Sequence, residues 1–143
     1  MLRLFPLLLL PVILYNVIAL FGGVLLHHDI QDMLSINHAL TITMFSGDKW
    51  MFSFGDFLIL LTLSLLFVEV VKATRTTSRE IINHGLSLVT FVVALIEFIT
   101  LKGFATTPFF FIMFMCMFDV VAGYTISIVA AEHDLGLGRA GTD

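Results

Sequence analysis

Six side chains carry what chemistry this chain has to offer: Asn16, Asp56, Glu69, His84, Glu97 and Asp119. Each lies within or at the edge of a long apolar run. Ionisable groups are costly in hydrocarbon, so they turn toward the inside of a helix bundle and take partners, and they mark proton or ion paths where they have a function. A rise of ~1.5 Å per residue sets their depths. Asn16 and Asp119 both fall near the middle of their runs, so they are expected to meet at the midplane if the first and last segments are neighbours. Asp119 is then hydrogen-bonded or neutral, because a low dielectric disfavours a bare charge. Gly123, one turn further along the same face, admits close helix approach. A structural interhelical hydrogen bond is the ordinary role of such a pair, and a proton or ion relay is the functional one.

Glu97 sits about 9 Å outward of the centre of its run, and Asp56 occupies a similar level on another. Asp56 follows Ser53 and Gly55 where a helix should start, so its carboxylate suits a cap at the positive helix end. Glu97 has only Lys102 as a nearby base, so two neighbouring carboxylates would form an acid/base pair or a cation site. At the opposite level, Glu69 and His84 lie on adjacent antiparallel segments, and a Glu–His contact is expected. Lys72 is three residues from Glu69, and Asn83 and Gly85 give the start of the next helix a polar face. The bland reading is an interfacial charge cluster that fixes the loop.

No cofactor is expected. A membrane haem takes histidines from two spans, and only His84 lies inside one. His27-His28-Asp29 with His38 could hold zinc or copper only weakly, because adjacent histidines diverge on a helix, so no metal ligand set is assigned. Cys116, the single cysteine, excludes an intramolecular disulfide and a thiol oxidoreductase with paired cysteines. No nucleophile set appears, so an enzyme is not expected. No basic patch exists for nucleic acid.

The elements that must position these groups are four apolar runs, Leu4–Leu26, Met51–Val71, Ile81–Leu101 and Pro108–Ala131. A helix needs about 20 apolar residues to cross the hydrocarbon core. With 59% hydrophobic and 13% charged residues among 143, and a mean hydropathy of +1.05, this is a membrane protein. Residues 1–143 form a single integral membrane domain, since four spans leave no length for a soluble one. The fold class expected is an all-α, four-transmembrane-helix antiparallel bundle with a short outer helix and a β-hairpin between helices 1 and 2. The first run is longer than a signal-peptide core and lacks a clean cleavage site, so it reads as an uncleaved anchor. Arg3, Lys72, Arg75, Arg79 and Arg139 fall on one side and only Lys49 and Lys102 on the other. The excess places both termini and the tail 132–143 in the cytoplasm, with the segment 27–50 outside. In a bacterial cell this is the inner membrane.

Local signals mark the element ends. Thr77-x-x-Glu80 fits a capping box, Pro108 suits a first helical turn, and Pro11 is expected to kink the first helix. In the outer segment, Ile30, Met33 and Leu34 share a helical face. Leu40, Ile42 and Met44 alternate with threonines, Ser46-Gly47-Asp48-Lys49 is a turn, and Trp50, Phe52 and Phe54 alternate again. This predicts a short helix and a hairpin on the outer membrane surface, with Trp50 at the interface. The Phe- and Met-rich run from Pro108 to Phe118 is apolar all round and suits lipid exposure and packing, or a groove for a quinone or lipid tail.

Five stretches carry a resemblance: Phe54-Gly55-Asp56-Phe57-Leu58; Val68 to Arg75 (VEVVKATR); His84-Gly85-Leu86-Ser87; Glu97-Phe98; and Asp119 to Tyr124 (DVVAGY). Together they resemble small four-helix inner-membrane proteins of proteobacteria. The likeness implies an intact inner-membrane protein and brings no activity, ligand or site residue. Small multidrug transporters, which also have four spans, carry a glutamate in the first span where this chain has Asn16. The function expected is a non-enzymatic accessory or scaffold protein, surrounded by membrane lipid and associated with itself or a larger membrane complex. The alternative is a small transporter or an ion or proton conduit using Asp119, Glu97 and Asn16.

Overall fold

The computed structural model describes residues 5–25, 29–35, 39–74 and 80–139. The expected Thr77–Glu80 capping box, the His27, His28 and His38 group and the loop arginines Arg75 and Arg79 lie outside the described residues. The chain runs as α1 (Leu9–Ala19), a π-helical turn (Leu20–Leu25), α2 (Ile30–Met33), β1 (Leu40–Thr43), β2 (Lys49–Phe52), α3 (Phe54–Ala73), α4 (Glu80–Thr100) and α5 (Thr107–Arg139).

Three helices are long and apolar enough to cross a membrane: α3 over Phe54–Ala73, α4 over Ile82–Thr100 and α5 over Thr107–Glu132. The first apolar run departs from expectation, because it forms a shorter apolar helix, Leu9–Gly23, whose end is π-helical. Gly22 and Gly23 account for that end. A Cβ at Gly22 would come 2.7 Å from the Met33 sulfur, so the paired glycines let α2 lie directly against the wide turn.

The second span begins at Phe54 rather than at Met51. Residues up to Phe52 are committed to the hairpin, and a capping box starts the helix. The Ser53 hydroxyl accepts the Asp56 backbone N–H at 3.1 Å, and the Asp56 carboxylate accepts the Ser53 backbone N–H at 2.9 Å. α5 opens at Thr107, with Pro108 in its first turn as expected, and continues past Ala131 to Arg139. A Cβ at Gly55 would come 2.7 Å from the Pro108 ring, so the N-terminal ends of α3 and α5 touch.

α3 and α4 pack on α5, and α1 touches all three. The core joins Val12, Tyr15 and Ala19 of α1 to Leu58, Ala94, Phe109, Ile112 and Cys116. The small outer elements are as expected in kind. In the antiparallel hairpin Leu40 opposes Phe52, Ile42 opposes Trp50, and Gly47 turns the chain at φ +90°.

Candidate functional site: a buried polar cluster between three helices

One turn of α3, two turns of α4 and one turn of α5 converge on polar side chains where the surrounding sequence is apolar. On α4 the positions Asn83, Ser87, Thr90 and Ala94 recur at helical spacing and are all buried, so the seam facing its neighbours is made of small and polar groups. α3 brings Glu69, which is 1% exposed, against the start of that seam. α5 brings Asp119 and Gly123, one turn apart.

Glu69 is held by three donors. Asn83 donates its amide to Oε1 at 2.6 Å, and the Lys72 ammonium reaches Oε1 at 2.7 Å and Oε2 at 2.9 Å. The backbone N–H of Leu7 donates to Oε2 at 3.3 Å, and Lys72 also donates to the Phe5 carbonyl at 3.4 Å. The carboxylate is therefore charge-balanced, and it ties the chain entering α1 to the end of α3. The expected Lys72 partnership holds. The expected Glu69–His84 contact does not, because Asn83 occupies that place and turns His84 toward α5.

There the His84 ring lies flat against Gly123, where a Cβ would collide with Nδ1, and 5.9 Å from the Tyr124 ring. The Cβ-free position is what admits a histidine between two closely packed helices. One turn along both antiparallel helices, the same register brings Ser87 beside Asp119. Asp119 thus faces α4 and not Asn16.

Four buried polar atoms make no hydrogen bond of good geometry among the described residues: Asn83 Oδ1, His84 Nε2, Ser87 Oγ and Asp119 Oδ2, the last two standing close enough to engage each other. All four belong to this cluster, and their residues are only 2–3% exposed. Each such atom costs about 1–3 kcal/mol unless something satisfies it. The set offers a carboxylate, an imidazole, a hydroxyl and an amide oxygen. All but the amide can exchange a proton, and together they can accept or donate to water or a small polar species. No group of three His, Cys, Asp or Glu side chains that could hold a metal ion occurs among the described residues.

The remaining predicted residues form a separate layer toward the hairpin end. Asn16 donates to both carboxylate oxygens of Glu97 at 3.0 Å and to the Val12 carbonyl at 3.0 Å. The expected Asn16–Asp119 meeting is therefore corrected: depth along a run does not specify the face, and α1 presents Asn16 to α4. The expected Asp56–Glu97 carboxylate pair is corrected as well. Asp56 is engaged in its capping box, with Ser53 Oγ donating to it at 2.7 Å, and Glu97 draws its donor from Asn16 rather than Lys102. Beside this layer the Tyr15 hydroxyl bonds the Gly103 carbonyl at 2.8 Å and Thr106 Oγ1 at 2.6 Å, fastening α1 to the α4–α5 turn.

Between the two layers lie Leu58, Ala94, Ile112 and Cys116, all buried. A cavity of about 720 Å³ opens at the hairpin end among Gln31, Ser35, Met51, Asp56 and Thr107, and none of the cluster residues lines it. Sequence reading missed Ser87, Tyr15 and Thr106. Ser87 could have been found from its place four residues after Asn83 on an otherwise apolar helix. Tyr15 and Thr106 carry no such signal, because their contact depends on the turn after α4. No protein-family model, no curated protein and no solved structure matches the chain.

Proposed function

We propose that this chain is a multi-pass membrane transporter or conduit for protons, in which Asp119, Ser87, His84 and Asn83 form the proton-binding site. The Glu69–Lys72 pair holds the entrance to that site. The observation that carries the reading is the gathering, between α3, α4 and α5, of the four buried polar atoms that lack a well-formed hydrogen bond among the described residues, with Ser87 and Asp119 facing each other there. A scaffold or accessory subunit has the same small size and the same lack of a catalytic set. It needs no such atoms: apolar replacements of similar shape would remove a cost of several kcal/mol at about 1–3 each. The proton is favoured over a metal cation because three of the four groups exchange protons and no metal-ligand set converges there.

In this reading α1 with its π-helical end completes an antiparallel four-segment bundle in the inner membrane. Both termini, and the Glu69 layer with them, face the cytoplasm. The apolar layer of Leu58, Ala94, Ile112 and Cys116 is the closed barrier, and the Asn16–Glu97 pair lies on its outer side. Transport requires that layer to part, as in alternating access.

The test is proton flux into liposomes that hold a trapped pH-sensitive dye, driven by a potassium diffusion potential. Wild-type protein is expected to acidify or alkalinise the lumen with the sign of the potential, and Asp119→Asn to abolish the response while helicity and melting stay unchanged. Wild-type flux no greater than that of empty vesicles, or unchanged flux in Asp119→Asn, would overturn the conduit and leave the accessory reading standing.

A further inference from the structure

The hairpin has two unlike faces. Register places Leu40, Ile42, Trp50 and Phe52 on one face, and Thr41, Thr43, Lys49 and Met51 on the other. Both faces are open, and the first carries the bulkier apolar groups: Leu40 is 72% exposed, Ile42 48% and Trp50 49%, Phe52 is half-buried, and the Trp50 and Phe52 rings stack edge-on at 5.5 Å. Phe45 at the loop apex is wholly exposed. A two-stranded ladder of four residues a side is marginal in water, so a face of this composition calls for an apolar support.

We propose that this face is a lipid-docking surface, which lays the hairpin in the bilayer interface as an amphipathic anchor. Three observations select lipid over protein. First, the face is continuous with surface already directed at the bilayer. A single residue, Ser53, separates β2 from α3, and Phe54 and Phe57 in the first turn of that span are exposed. Second, the chemistry is that of an interface. Trp50 and Phe52 supply amphipathic and apolar rings, while Lys49 sits on the opposite face, where its stem can reach the headgroup level. Third, the area is small. Four side chains present on the order of a few hundred Å², below the ~800 Å² that each partner contributes to a specific protein interface of standard size. The docked hairpin would fix the depth at which α3 begins. It would also hold Met51 over the outer cavity, whose wall that residue forms.

Trp50 is the only tryptophan, so intrinsic fluorescence reports the hairpin alone. The full chain would be reconstituted in phosphatidylcholine vesicles carrying bromines either high or low on the acyl chain, with iodide as the aqueous quencher. Shallow bromines are expected to quench Trp50 more than deep ones, and iodide to quench it weakly. Ile42→Asp, opposite Trp50 on the same face, is expected to raise iodide quenching at least twofold. Thr41→Asp on the other face is expected to leave it unchanged. Strong iodide quenching of the wild type would show a solvated hairpin and overturn the proposal. Protection from both iodide and bromolipid would show a protein covering the face, whether a second copy or another subunit, and would overturn it equally. Equal effects of the two substitutions would show that neither face is privileged and would overturn the proposal.

Discussion

Glu69 and Lys72 show how a charge is kept inside a membrane helix. The carboxylate is 1% exposed and is met by an ammonium, an amide and a backbone N–H. Removing one partner of a buried ion pair leaves the other unbalanced, which costs more than removing both. Lys72→Met is therefore expected to destabilise the protein by about 3 kcal/mol. Adding Glu69→Gln to it should recover a large part of that loss, because the glutamine oxygen can still accept from Asn83. Unfolding in mixed detergent micelles measures the cycle, and additive losses would show that the pair does not act as a unit. At this scale the sequence told which polar residues fall within apolar runs and how far along each run they sit. It did not tell which way they point. Asn83 rather than His84 meets Glu69 because one residue along a helix is about 100° of rotation, and that angle is fixed only when α4 docks on α3 and α5.

The elements were legible where local signals decide them. Period-2 alternation on either side of a Ser-Gly-Asp turn placed the hairpin, and apolar length placed α3, α4 and α5. Three residues misplaced the start of α3, because apolar length does not separate strand from helix and the Ser53–Asp56 capping box decides it. Ser53→Ala removes the hydroxyl that accepts the Asp56 N–H. It is expected to cost about 1 kcal/mol and to speed hydrogen exchange at Asp56 while leaving the middle of α3 unchanged. The first run was the least legible. Its composition is that of a span, yet it ends in a π-helical turn over Leu20–Leu25. The run supplies Gly22 and Gly23, but what lies over them, Met33 and Ile30 of α2, comes from outside it.

For the whole molecule, the apolar exterior suits a chain that stands alone in lipid, packs on copies of itself or joins a larger assembly. Intact-mass measurement of the assembly released from native membranes in mild detergent separates these cases. The proton conduit predicts a monomer or a homo-oligomer with no other protein chain, whereas a stable hetero-complex would favour the accessory reading. Sequence by itself determined the solvent, since 59% hydrophobic residues in long runs have no other home. It also determined the strands and most of the helices, and the set of polar groups within the apolar runs. Only the tertiary structure decided their grouping, with Asn16 at Glu97, Asn83 at Glu69, and Ser87 and His84 against Asp119 and Gly123. The reason is physical. Depth and hydrophobicity are properties of one helix and add along the chain, whereas rotation and neighbour choice belong to pairs of helices and are set by side-chain packing after the helices have formed.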